Sequence, residues 1–261
     1  MENKKISNEK FNESKEKVKE LLKKLNAESD SAEIKKIRDE FKEVLAEVNP
    51  VVIAVAEGEL VNEGYTQDDL KNACDVHLEL FKDSIENPNL KVPEWHPIHK
   101  FQEEHKGILK ILERIRELIS EAKKRGDFNS AEEELSKIEK LAQKLMDAES
   151  HNVRQENTLF PILERHGIEQ PPAIMWSEHL EMKENKKKLL KLLGERDKYD
   201  FQEFLNLIDG TVILLWEQFG AHTQKEENIL YVTALDVITD EEWKDIKEEC
   251  DNLGYFDLNI E

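Results

Sequence analysis

Apolar residues recur at steps of three and four along most of the chain, a spacing that stacks them on one face of a helix. Phe11 to Leu25 predicts a charged, weakly amphipathic helix, closed by a polar break over Asn26 to Ser31. A second helix carries Ile34, Ile37, Phe41 and Leu45 as its stripe. After a turn at Asn49-Pro50, Val51 to Glu63 predicts a third helix, apolar at its start, with Gly64 as its C-terminal cap. Thr66 is placed to cap a fourth, Gln67 to Ser84, whose Leu70, Cys74, His77 and Phe81 share one face. Residues 1–90 therefore read as a small helical domain, and Glu86 to Glu94, with Asn87-Pro88-Asn89 and Pro93, as a linker.

Residues 91–235 give a longer and more regular pattern. One helix starts at Pro97, runs to about Lys124 and carries Phe101, His105, Ile108, Leu112, Ile115 and Ile119. A second, from about Ala131 to Arg165, carries Leu141, Leu145, Ala148, His151, Gln155 and Leu159. The third carries Met175, His179, Met182, Lys186, Leu189 and Leu193 and ends near Gly194. The fourth carries Phe204, Ile208, Val212, Leu215, Phe219, His222, Glu226 and Ile229. One buried seam per helix and short connections predict an all-α fold, with an up-down-up-down four-helix bundle following the small helical domain. Residues 236–261 form a tail with one short helix at Glu241 to Asn252.

Composition narrows the functional classes. The 261 residues are rich in Lys, Glu and Leu, with nine Gly and seven Pro, as a helical protein requires. A net charge of -20 argues against nucleic acid and against an anionic membrane surface; solvated helix faces account for it. No run reaches the length of a membrane span, and Met1-Glu2-Asn3-Lys4-Lys5 leads into polar residues rather than a signal core. Cys74 and Cys250 make no disulfide framework. A cytoplasmic setting is the expectation.

The chemistry is concentrated in a repeated motif. His151-Asn152-Val153-Arg154-Gln155-Glu156-Asn157-Thr158-Leu159-Phe160 returns seventy-one residues later as His222-Thr223-Gln224-Lys225-Glu226-Glu227-Asn228-Ile229-Leu230-Tyr231. Histidine, Glu, Asn and Leu coincide; Arg faces Lys, Gln faces Glu and Phe faces Tyr. A histidine with a carboxylate one turn further on is a metal-ligand spacing. Each of the four stripes also holds one histidine: His105, His151, His179 and His222. Singly, each is explained as a hydrogen-bonded core histidine. Four buried imidazoles, with Glu226 and either Gln155 or Glu156, are costly without a common partner, and a cation is the simplest one. Histidine and carboxylate with almost no thiolate point to iron or manganese rather than structural zinc.

These residues resemble the hemerythrin-like cation-binding family. The resemblance covers about Pro93 to Ala234 and rests on Glu104-His105, on His151 before Leu159-Phe160-Pro161, on Glu178-His179, and on His222 with Glu226 before Ile229-Leu230-Tyr231. It implies a non-haem centre of two irons bridged by two carboxylates, with His105, His151, His179 and His222 as terminal ligands. The implied function is binding or sensing of oxygen, nitric oxide or iron redox state, with a diatomic gas or peroxide as ligand. Two positions depart from the family pattern. The carboxylate due four residues after His151 is Gln155; Glu156 is a residue further on, and a local π-widening would bring it in as the second bridge beside Glu226. Lys183 stands where oxygen-carrying relatives have another histidine, which disfavours a plain oxygen carrier. His96, before Pro97, is open to a ligand or a capping role; His99 reads as a surface residue and His166 as one suited to a helix C-terminus.

Glu59-Leu60-Val61-Asn62-Glu63-Gly64 with Cys74-Asp75-Val76-His77 resembles a small domain of unknown function that often precedes hemerythrin-like domains. It implies a route to a protein partner or a homodimer through the N-terminal helices. Cys74 and His77 read first as core packing and second as a redox or ligand pair. A sensory PAS domain, which sometimes follows both domains, is not expected within residues 236–261. The competing classes are an iron-dependent peroxidase or nitric oxide-handling enzyme, a haem-binding bundle, and a metal-free helical interaction module.

Overall fold

The computed structural model describes residues 8–27, 31–48, 50–66, 69 and 90–257, and among them all regular structure is helical. No helix among the described residues is long and apolar enough to cross a membrane. Two compact units are distinguished, residues 1–91 with 162–174 and 228–238, and residues 92–161 with 175–227 and 239–261.

In the first unit α1 (Asn8–Ala27), α2 (Ser31–Glu47) and α3 (Pro50–Asn62) follow the apolar stripes of the sequence. They bury Val18, Leu21 and Leu22, then Ile37, Phe41 and Val44, then Val52, Ile53 and Leu60. Lys19 joins α1 to α3 by reaching Glu59 at 2.8 Å and Glu63 at 2.6 Å. Gly64, at φ +102°, turns the chain out of α3, a conformation that costs glycine nothing. Thr66 and Asp69 then exchange capping bonds, the Thr66 Oγ1 accepting from the Asp69 N–H at 3.2 Å, as the sequence predicts. The side chain of Leu45, and the helix expected over Gln67 to Ser84 with Leu70, Cys74, His77 and Phe81, lie outside the described residues.

The second unit is built on α4 (Pro97–Ala122), α5 (Glu132–Asp147), α8 (Gln170–Gly194) and α9 (Phe201–Lys225). The helix expected as one piece to Arg165 passes at Ala148 into α6 (Glu149–Arg154), a π-turn (Gln155–Leu159) and α7 (Phe160–Arg165). A second π-turn, Glu226–Leu230, leads from α9 into α10 (Tyr231–Val237). Ile111, Ile115 and Leu118 of α4, Leu135 and Ile138 of α5, Leu189 of α8, and Phe204, Ile208 and Val212 of α9 meet in one core. Ala122 at the end of α4 and Ala131 before α5 both belong to this core, as do Leu193 late in α8 and Phe201 early in α9, and connections this short make successive helices alternate in direction. Alternation brings the early turns of α4 and α8 to the same end as the late turns of α6 and α9, where all four seam histidines lie. The tail helix α11 (Asp240–Leu253) extends one residue further at each end than expected and is opened by a capping box between Thr239 and Glu242.

Candidate metal centre

His105 and His179 stand in the third turns of α4 and α8; His151 and His222 stand just ahead of the two π-turns. All four are buried, and each turns Nε2 toward Glu226 and Nδ1 toward an outer carboxylate. Glu226 Oε2 lies 2.5 Å from His105 Nε2 and 3.8 Å from His151 Nε2. Its other oxygen, Oε1, lies 3.2 Å from His222 Nε2 and 3.9 Å from His179 Nε2. The donors thus form two groups, His105–His151–Glu226 and His179–His222–Glu226, in each of which the ligand atoms lie within 4.8 Å of one another.

The outer carboxylates follow a pseudo-twofold rule. His151 Nδ1 meets Glu104 Oε2 and His222 Nδ1 meets Glu178 Oε2, both at 2.9 Å. His105 Nδ1 meets Glu227 Oε1 at 2.9 Å, and His179 Nδ1 meets Glu156 Oε1 at 2.7 Å. Glu104 is held further by Arg154, and Glu178 by Lys225 at 2.7 Å. Every member of one half has a mate in the other, except that the mate of Glu226 is Gln155, which is fully buried. Phe101 packs edge-on to His151, Phe219 edge-on to His105, and Phe160 stacks on His179, closing the centre with apolar surface.

The π-turns explain this doubling. A π-turn carries an i→i+5 hydrogen bond, here from the Phe160 N–H to the Gln155 carbonyl. The widening keeps both the fourth and the fifth residue after each histidine on the inner side. The fourth is Gln155 or Glu226; the fifth, Glu156 or Glu227, reaches a histidine on another helix. The local widening expected of the sequence is therefore present, but Glu156 takes the outer nitrogen of His179 and is not among the converging donors.

Charge in the centre is tightly coupled. Burial pushes the His105 imidazole down, but the charge and hydrogen bond of Glu226, with Glu227, outweigh it and hold the pKa up at about 9. His222 is raised in the same way, against burial, by Glu226 and Glu178. Burial pushes Glu226 up, and His222 and His105 more than reverse this, leaving it well below the usual carboxylate range. Glu178 falls to about 2 despite burial, through His222 and Lys225. Glu104 is likewise lowered, against burial, by His151 and Arg154.

These residues fit a metal pair. A neutral imidazole that donates Nδ1–H to a carboxylate has its lone pair at Nε2, the orientation in which metal-bound histidines are held. His179 Nε2 and His222 Nε2 face each other at 3.1 Å, close enough for one cation to take both. His151 Nε2 is buried and makes no hydrogen bond.

The remaining candidates lie apart from both groups. His96 caps α4, its Nδ1 accepting from the Ile98 N–H at 3.2 Å while its ring packs on Trp243; burial lowers its pKa to about 4. His99 is half-exposed, 3.7 Å from Glu103. His166 bonds the Ile162 and Leu163 carbonyls at the end of α7, consistent with a helix-terminal role. Lys183 is 3.8 Å from Glu149, whose other oxygen takes the buried Lys186 at 2.7 Å. The supporting roles of Glu104, Glu178, Glu227, Arg154 and Lys225 were not read from the sequence. The signal available was the repeat itself, where Glu precedes both early histidines and a base follows both late ones by three.

Residues 96–234 match the family model described as "Hemerythrin HHE cation binding domain", and residues 18–87 match "Family of unknown function (DUF438)". No curated protein matches the chain.

Proposed function

The chain belongs to the hemerythrin HHE cation-binding family, and we propose that its bundle holds two non-haem irons, one at each histidine pair, joined by Glu226. The observation that carries this reading is the donor set, two imidazoles and one carboxylate, present twice around one shared side chain. That set suits iron and leaves coordination positions open for an outside ligand. Bound iron would supply a redox change and affinity for oxygen, nitric oxide or peroxide. The four Nε2 atoms would be terminal ligands and Glu226 the bridge. Glu104, Glu178, Glu156 and Glu227 would fix the tautomer and ring angle of each histidine, and Phe101, Phe160 and Phe219 would restrict water.

The activity we infer is sensing of a diatomic gas or of iron redox state, relayed to a protein partner or a second copy through the N-terminal helices. Lys183, in place of a further histidine, argues against a plain oxygen carrier. Open coordination positions suit an iron-dependent peroxidase or nitric oxide-handling enzyme equally well. Anaerobically loaded protein mixed with nitric oxide or peroxide separates the two: a stable adduct without multiple turnover supports sensing, and sustained consumption supports the enzyme. Failure to bind iron removes both.

A further inference from the structure

The His151 arm of the centre is tied to residues that follow the bundle. The inner face of α11 is buried through Trp243, Ile246 and Cys250. Trp243 packs on the His96 ring at 4.3 Å, and Cys250 Sγ lies 3.4 Å from Thr158 Oγ1 in the first π-turn. At the end of α11, the Gly254 carbonyl accepts a hydrogen bond from Arg154 Nη1 at 2.5 Å. The guanidinium lies 4.5 Å from the Tyr255 ring centroid and is itself fully buried. Its other nitrogen, Nη2, donates to Glu104 Oε2, the same oxygen that takes His151 Nδ1.

One chain of contacts therefore runs from the Gly254 carbonyl through Arg154 and Glu104 to the inward-facing imidazole of His151. A planar fork suits this place, because two of its nitrogens serve separate acceptors while its flat face lies on Tyr255. On the opposite arm the mate of Arg154 is Lys225, whose ammonium serves Glu178.

We propose that Arg154 is a positioning residue for His151, and that residues 239–257 regulate the His105–His151 metal position by holding it. This inference rests on the metal reading above. Occupancy of the centre and docking of α11 then favour each other, and linkage makes the effect reciprocal.

The test is amide hydrogen exchange of the full chain, with and without anaerobic ferrous iron, joined to an iron titration. Iron should slow exchange across α11 by roughly tenfold, within the usual range of coupling between sites. Arg154→Lys keeps the charge but loses the fork. It should still bind two ions, one of them about tenfold more weakly, with slowing of α11 reduced to below about twofold and α9 still protected. Tyr255→Leu, which leaves Glu104 untouched, should shift the same readouts in the same direction and serves if the arginine variant does not fold. Two ions bound with α11 exchange unchanged by iron would overturn the coupling alone, as would full coupling retained in both variants. No iron bound by the unaltered chain would overturn the metal reading and this inference together.

Discussion

Replacing Glu156 by Gln separates the two roles a carboxylate can have beside this centre. Glu156 Oε1 lies 2.7 Å from His179 Nδ1 and belongs to neither converging group. Glutamine has nearly the same shape, and its amide carbonyl still accepts the Nδ1–H, so the hydrogen bond survives while its charge does not. With the Glu156 side chain 24% exposed, folding should change by no more than about 0.5 kcal/mol. A hydrogen bond to a charged acceptor exceeds a neutral one by roughly 1–1.5 kcal/mol, or about tenfold in affinity. That loss should be confined to one of the two ions, the one at His179 and His222. Glu226→Gln is the reference, because Glu226 is fully buried and shared by both groups. Removing one partner from a buried charged cluster costs about 3–5 kcal/mol, roughly two to three and a half orders of magnitude in binding, and here at both positions. Anaerobic titration with ferrous iron, followed by metal analysis after dialysis and by circular dichroism for the fold, measures both variants against the unaltered chain. If Glu156→Gln lost both ions as Glu226→Gln does, Glu156 would be a ligand and the assignment made here would be refuted.

Four further outcomes are expected. His105, held at about 9, carries a proton at neutral pH in the metal-free chain, and His222 is shifted in the same direction, so iron must displace protons from this centre. Binding at pH 7.5 should release about one proton from His105, with any further release from His222, and should tighten as pH rises toward 9, which calorimetry in buffers of different ionisation enthalpy reads; proton-free binding would contradict it. Because the folded-state pKa of His105 is raised, its contribution to the metal-free fold is complete below about pH 6.5 and lost as pH rises through about 9. His96 has the opposite sign: lowered to about 4, it costs nothing above about pH 6.5 and removes up to about 3 kcal/mol as pH falls to 4. His96→Asn, which keeps a capping side chain, should flatten that part of the acid limb in urea titrations at pH 7 and 4.5. Phe204→Ala, fully buried in the bundle core, should lower stability by about 3–5 kcal/mol, whereas Leu214→Ala, 40% exposed on the same helix, should change it by about 0.5 kcal/mol or less. Gln155→Glu supplies the missing mate of Glu226 and should slow iron loss to a chelator by about tenfold or more; unchanged release would place Gln155 outside the reach of the ions.

The seams were legible because buried helix faces repeat at three and four. His105, His151, His179, His222 and Glu226 fell out of that period, and all five converge. The choice between Gln155 and Glu156 was not legible. It turns on a π-turn that keeps both residues on the inner side, and on a partner, His179, that belongs to a different helix. Glu104 and Glu178 marked the motif, but a rotation of about a hundred degrees per residue sends each to a neighbouring helix's histidine, which spacing along one helix does not reveal. Arg154 and Lys225 were visible as a basic pair in the repeat, and their task became clear only with the buried carboxylates beside them. Pro97 announced a helix start, and the cap proved to be His96 itself.

The most direct test is the metal content and ultraviolet-visible spectrum of the chain purified without oxygen, before and after air. About two irons per chain are expected, with charge-transfer absorption appearing in air, and loss of both ions in Glu226→Gln. A chain that binds no transition metal, even after anaerobic reconstitution with ferrous iron, would contradict the metal reading.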